Sequence, residues 1–309
     1  MMQKILDILQ NVVDSCNGKH LALSGGLDST ILAYLLKDKK PRCIAVISED
    51  HTANDLTYCQ MAAQAFRLDL DIKSYDIAQI LDAVENTIKI LGNFNDIEIR
   101  NNVVPYLAIS EVKKLGFNKI ITGDGADELF AGYNFLLNKS QSDLKLDLSR
   151  LAKIMHFPSQ KIGKDLGIQV ESPFCHTSVM EFARQLPVEN MVNTHQGKKF
   201  GKFILRESFD GLIPSQIAWR QKSPMQDGSG TQGLTGFFEG ITPDSVFIKK
   251  IKQIQQDDNV TIRTKESLFY YNIFKKYHTL KQSEDSCPDC HYTIEENSKF
   301  CRMCGRFPI

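Results

Sequence analysis

The 309-residue sequence lacks several things that would have named its class at once. No apolar run approaches the roughly 20 residues a membrane helix needs, and the opening "MMQKILDILQNVVDSC" carries acids where a cleavable signal would not. A cytoplasmic protein with no membrane partner is expected. No charge of one sign dominates: 37 Lys and Arg balance 37 Asp and Glu, so no global field recruits nucleic acid or anionic lipid. No disulfide framework is visible either. Four of the eight cysteines (Cys16, Cys43, Cys59, Cys175) are scattered and four crowd into residues 287–304, unlike a secreted scaffold. No G-x-x-x-x-G-K-[ST] loop, internal repeat or low-complexity tract occurs. A P-loop nucleotidase and a repeat protein are thereby excluded.

The front of the chain alternates two patterns. "HLALS" (20–24), "CIAVIS" (43–48), "LDIKSYD" (70–76) and "KIITGD" (119–124) predict strands, and segments 28–38, 55–67 and 104–116 between them predict helices. Alternation of this kind implies an α/β fold, a doubly wound parallel sheet with ligands at the C-terminal strand ends. From about residue 140 helical patterns dominate, interrupted by "WRQKSPMQDGSGTQGLTG" (219–236), long and polar enough for a functional loop. The expected division is an α/β part to about 140 and a mostly helical part after it, together forming a domain 1–280. A polar linker then leads to a small C-terminal unit, 285–309.

Two glycine-rich segments fall at strand ends. Ser24-Gly25-Gly26-Leu27-Asp28-Ser29 runs from a strand into a helix, an arrangement that aims unpaired backbone N–H groups at phosphate. It lacks the spacing of a dinucleotide loop but supplies two hydroxyls and, in Asp28, a carboxylate able to hold Mg²⁺ against a polyphosphate. "ITGDGADELFAGY" (121–133) gathers Asp124, Asp127 and Glu128. Three carboxylates so close point to a cation or a raised pKa, although acids also favour helix N-termini.

S-G-G-L-D-S followed by G-D-G-A-D-E-L-F-A-G-Y resembles the synthetase domain of asparagine synthetases, within the N-type ATP pyrophosphatases (PP-loop, adenine nucleotide alpha hydrolase-like). The resemblance continues through 97–116, 170–187 and 202–230 and omits the C-terminal cysteines. It implies an AMP-forming ligase: a carboxylate oxygen attacks the α-phosphorus of ATP, and ammonia then displaces AMP. On that resemblance Ser24, Gly25, Gly26 and Ser29 hold the pyrophosphate, Asp28 and Asp127 carry Mg²⁺, Val46 lines the adenine pocket and Gly123 admits ribose or base. Arg100 clamps a carboxylate or pyrophosphate, Lys222 covers the reacting phosphate, and Asp124, where the family often has glutamate, takes the proton from the incoming nitrogen. Lys202 and Arg206, four apart, are either solvated charges or outer phosphate contacts. Aspartate is the first acceptor to consider, although "VESPFCHTS" departs from the family's "VRVPFLD".

The glutaminase domain of complete asparagine synthetases is not expected, because residues 1–19 alone precede the first strand-like run and Cys16 does not fit the nucleophile's part. Free ammonia, a separate glutaminase subunit or another amine is left as nitrogen donor. Cys287-x-x-Cys290 and Cys301-x-x-Cys304 predict a structural Zn²⁺ ribbon whose metal supplies its folding energy, with His291 at the surface. Such ribbons are handles for protein or RNA. The rival readings are an ATP-dependent tRNA-modifying enzyme, thiolating or amidating, and a nucleotide-sensing scaffold. The scattered cysteines show no thiolating pattern, and Asp28, Asp127 and Lys222 speak for catalysis.

Overall fold

The computed structural model describes the chain except Pro224, Glu284, Asp285 and Asn297 and the side chains of Met225 and Gln226. Pro224 lies in the 219–236 loop, and Glu284 and Asp285 lie in the linker before the cysteines.

Five strands form one parallel sheet: β1 (His20–Ala22), β2 (Arg42–Ser48), β3 (Leu70–Tyr75), β4 (Lys119–Ile121) and β5 (Gln169–Glu171), in the order β3-β2-β1-β4-β5. Leu21 is opposite Cys43 of β2 on one side and Ile121 of β4 on the other. The chain builds outward from β1 to β3, then returns to place β4 on the opposite side of β1. That reversal opens a crevice at the C-terminal ends of β1 and β4, where both glycine turns lie. The doubly wound α/β expectation is met. The strand β5 and a hairpin of Asn193–His195 with Lys198–Phe200 were not legible. These three-residue strands, unlike β1 and β4, lie in no apolar run, although Gln196 and Gly197 both take positive φ at the hairpin turn, as a two-residue loop requires.

Helices pack on both faces. Met2–Ser15 (α1), Leu27–Leu35 (α2) and Leu56–Phe66 (α3) contribute Ile5, Leu9, Ile31, Leu32 and Ala62 to one apolar core. Ile77–Leu91 (α4) and Asp96–Lys114 (α5) contribute Ile80, Val84, Val103 and Val112 to a second. α5 begins eight residues earlier than the pattern suggested: Asn95 caps it by accepting from the Glu98 N–H at 3.3 Å, and Pro105 sits within it. The C-terminal helix Lys265–Tyr277 joins this second core through Leu268, Tyr271 and Phe274. Cys287, Cys290, Cys301 and Met303 are buried in the same core, with Phe94 N–H donating to Met303 O at 2.9 Å. Among the described residues no helix is long and apolar enough to cross a membrane.

Candidate active site

A cavity of about 580 Å³ opens between the two glycine turns. Its floor is the start of α2. Gly26 caps that helix in extended conformation, and Gly25 takes φ +68 with its α-carbon pressed against α3: an added Cβ would lie 2.8 Å from Asp55 O and Cys59 N. Only glycine turns the chain there without strain. Ser24 and Ser29 face each other across the turn, their hydroxyls 3.1 Å apart.

Across the cavity, the turn after β4 brings Gly123 against the Asp28 side chain and carries Asp127 toward it. Between them stands Lys202, whose Nζ is 2.6 Å from Asp28 Oδ2 and 2.7 Å from Asp127 Oδ1. Lys222 reaches Asp127 Oδ2 at 2.5 Å and lies 5.5 Å from the centre of the Tyr133 ring. Gly132 makes this cluster possible, since a Cβ there would lie 1.9 Å from Asp127 Oδ1 and 2.3 Å from Lys202 Cε.

The two aspartates are charged differently by this arrangement. Burial dominates at Asp28 and raises its pKa, with Lys202 pulling the other way. Burial also penalises ionised Asp127, but Lys202 and Lys222 outweigh it and hold that carboxyl well below its ordinary value. Burial disfavours the Lys202 ammonium, and Asp127 and Asp28 reverse the balance and raise its pKa. Among the described residues Asp28 Oδ1 is buried without a hydrogen-bond partner, and Asp127 Oδ1 faces only the Lys202 ammonium. A buried carboxylate oxygen left over beside a polyphosphate-sized cavity is the donor a divalent cation takes.

Other predicted residues divide between the cavity wall and places away from it. Val46, Gly123, Asp124, Asp127 and Lys222 all line the cavity together with Ser24, Gly26, Asp28 and Ser29. Asp124 Oδ2 accepts from Thr122 Oγ1 at 2.7 Å and Ser159 Oγ at 2.6 Å, which fixes its orientation. Arg100 does not line the cavity. It is buried, bonded to the Thr235 hydroxyl and 3.4 Å from Glu266 Oε2. Its clamp role is therefore withdrawn: neighbours on a helix point about 100° apart, and Asn101 takes the cavity side of α5 instead. Among the described residues the buried Asn101 Oδ1 has no hydrogen-bond partner.

Lys202 and Arg206 are not solvated charges. Lys202 is 4% exposed, and Arg206 donates to the carbonyls of Gly201, Ala218 and Arg220 at 2.8, 2.5 and 3.0 Å. Arg206 thereby fastens the start of the 219–236 loop. Arg220 then pairs with Asp55 and covers the Tyr58 ring, and Asp55 N–H donates to Gly228 O at 3.0 Å. Asp55 and Arg220 both line the cavity and were missed. Gly228, Gly230 and Gly233 have dinucleotide-like spacing, yet they pack against Asp55, Ser48 and His51. The glycines let the loop lie flat across the strand ends.

The four clustered cysteines meet the geometry of a tetrahedral ion. Their sulfurs lie within 4.8 Å of one another, with 3.5 Å between Cys287 and Cys304 and 3.6 Å between Cys290 and Cys301. Those separations are far too long for disulfides, at about 2.05 Å, and suit four thiolates on one zinc.

The sequence of the whole α/β and helical body has a family counterpart. The Asparagine synthase model matches residues 20–162 and 141–276. The chain belongs to the asparagine synthase family. It is 26% identical over 294 residues to the probable glutamine-hydrolyzing asparagine synthetase of Dictyostelium discoideum, covering 84% of this chain and 52% of that one. It is 24% identical over 292 residues to asparagine synthetase B of Escherichia coli, covering 86% and 51%. The chain thus spans about half the length of the curated relatives it matches. Among solved structures it is similar to the NMN synthetase of Francisella tularensis, at 13% identity and a TM-score of 0.41 over 92% of this chain and 99% of that one. At that distance the likeness carries no functional weight.

Proposed function

We propose that this chain is an ATP-dependent, AMP-forming ligase that activates a carboxylate as its adenylate and forms a carbon–nitrogen bond with ammonia. The observation that carries the reading is Lys202, held between Asp28 and Asp127 over the Ser24–Ser29 turn. Two opposed carboxylates, two ammoniums and a glycine–serine cradle form a preorganised site for a polyphosphate and its cation.

In this reading Ser24, Gly25, Gly26 and Ser29 grip the β- and γ-phosphates. Adenine lies against Val46, with Asn101 Oδ1 as acceptor for a base N–H, and ribose passes Gly123. The acceptor carboxylate oxygen attacks the α-phosphorus, the bond to the bridging oxygen breaks, and pyrophosphate leaves. Ammonia then attacks the acyl carbon and AMP departs, with Asp124 accepting the proton. Lys222 balances negative charge on the reacting phosphate, and Lys202 offsets the mutual repulsion of the two aspartates. Asp28 and Asp127 would hold Mg²⁺, which supplies Lewis-acid neutralisation of the leaving pyrophosphate. Cys287, Cys290, Cys301 and Cys304 would hold Zn²⁺ in a closed structural site. Arg100 has no part in these steps.

The thiolating alternative has no support from the cysteine beside the cavity. Burial pushes the Cys59 thiol up to about 12, the opposite of a reactive thiolate. The acceptor and the nitrogen source, free ammonia or a separate glutaminase subunit, are tested directly. AMP and pyrophosphate release with Mg-ATP and ammonium is measured with and without aspartate and a panel of other carboxylates, following amide products by mass spectrometry. Carboxylate-dependent AMP with matching amide is expected. No stimulation by any carboxylate, in exchange or in release, overturns the reading.

A further inference from the structure

Behind the Tyr133 ring lies a second cavity of about 560 Å³. It shares Glu128, Tyr133 and Phe135 with the first cavity, so the two adjoin where the Tyr133 hydroxyl donates to Glu128. Its opposite wall comes from the cysteine-rich tail, through Lys299, Phe300, Arg302 and Phe307. That wall is fixed in place. Cys301 and Cys304 bracket Arg302, Cys301 N–H donates to Arg306 O at 2.9 Å, and Arg302 donates to Ile154 O on the facing segment.

The lining has more positive than negative groups. Asp147 is engaged by Lys139 at 2.6 Å and Arg150 at 3.4 Å. Lys299 makes no ion pair among the described residues, and Arg302 pairs only with Glu295 outside the lining, at 3.1 Å. Beside these cations, large rings are held in the open. Phe135 stacks on Tyr133 with centroids 5.6 Å apart and is 56% exposed, and Phe307 is 69% exposed. A volume of this size suits part of a small molecule. Exposed rings take a planar or sugar ring by stacking, and the unpaired ammonium of Lys299, with the Arg302 guanidinium in the same wall, takes a phosphate.

We propose that this second cavity receives the far end of the acceptor, and that the acceptor is a carboxylate carried on a phosphorylated, ring-bearing group. The assignment to an acceptor rests on the ligase reading above. It gives the metal knuckles a task as well: they hold the phosphate-facing wall, so the tail sets specificity and does not hang free as a handle. Aspartate, by contrast, supplies the reacting end alone and leaves the second cavity empty.

The test uses the full zinc-loaded chain with its first cavity saturated by α,β-methylene-ATP and magnesium, titrated calorimetrically with UMP, uridine and inorganic phosphate. One UMP per chain is expected, with uridine and phosphate each weaker by about tenfold or more. Lys299→Glu is expected to weaken UMP by about tenfold, equivalent to about 1.4 kcal/mol, and Phe307→Ala by several-fold, with melting temperature and affinity for the ATP analogue unchanged. No saturable UMP binding, or UMP affinity untouched by Lys299→Glu, overturns the proposal. So does an octamer of uridylate that binds far tighter than UMP with a steep salt dependence, which would make this face a nucleic-acid groove. The ligase reading fails separately: UMP bound normally with no carboxylate-dependent AMP release rejects that reading and leaves an unassigned phosphate site.

Discussion

The turn after β1 and the turn after β4 occupy equivalent places, each a glycine bend at the C-terminal end of an inner strand, yet they are built for opposite purposes. The first offers hydroxyls and helix-start N–H groups and contributes one acid, Asp28, whose ionisation burial opposes. The second contributes Asp127, whose ionisation two lysines favour. Asp28 meets one ammonium through one oxygen, whereas Asp127 meets two ammoniums, one at each oxygen. In a shared site, then, one carboxylate is held more loosely and the other has a structural part as well as an electrostatic one. Substituting each tests that division. Asp28→Asn is expected to reduce kcat by roughly a hundredfold or more while urea denaturation stays close to wild type. Asp127→Asn is expected to reduce kcat comparably and also to destabilise the fold by about 3–5 kcal/mol, because it strips a buried lysine of its stronger partner. Equal stability losses for the two variants would erase the distinction.

Metal removal probes the comparison from outside. The cysteines pack in the core around α4, α5 and the Lys265–Tyr277 helix, while the β1 turn rests on α2 and α3, in the other. Chelation of a protein carrying close to one zinc per chain is expected to release residues 287–304 and lower the melting temperature by several degrees, the scale of a few kcal/mol. Affinity for an ATP analogue is expected to persist. Thermal melts and analogue titrations with and without chelator read both, and loss of analogue binding together with the metal would join what the two cores separate.

Acid sharpens the contrast by a smaller amount. Asp127 has a folded pKa below its ordinary 3.8, so its stabilising contribution is complete above that value and is lost as pH falls below it. Asp28 is raised, so ionising it costs stability as pH rises, the opposite sign. Urea midpoints followed from pH 6 downward in wild type, Asp28→Asn and Asp127→Asn are expected to show the acid-side loss reduced in Asp127→Asn alone. The same slope in all three would assign acid lability to other carboxylates.

What could be read in advance followed local chemistry. The strand-turn-helix at 20–35 and the acid-rich turn at 121–133 are contiguous, and contiguous segments carry their geometry in their own glycines and periodicity. Lys202 and Arg206 were visible as residues four apart but not as buried ones, because their burial comes from pairing with Asp28, Asp127 and the 218–220 carbonyls, all remote in sequence. Gly132 and Gly201 were the available signal: a Cβ at either position would lie 1.9–2.0 Å from another group, and close approaches of that kind mark where distant segments meet. The paired C-x-x-C spacing announced a metal site, but nothing in it revealed that its sulfurs would be buried against α4 and α5.

Arg100 gives the finest test, since it stands one residue from Asn101 and on neither turn. As a clamp it would govern ATP or carboxylate binding, whereas the structure commits it to Thr235 and Glu266, buried beneath the start of the Lys265–Tyr277 helix. Arg100→Lys keeps a cation beside Glu266 and gives up the hydrogen bond to Thr235, so the expected cost is about 1 kcal/mol of stability with KM for ATP unchanged. Asn101→Leu, on the cavity side, removes an acceptor without removing charge and is expected to raise that KM several-fold. The two variants, measured together by urea denaturation and ATP-dependent turnover, separate a residue that holds α5 in place from one that faces the nucleotide. A raised KM in Arg100→Lys with an unchanged denaturation midpoint would return the arginine to the site and remove Asn101 from it.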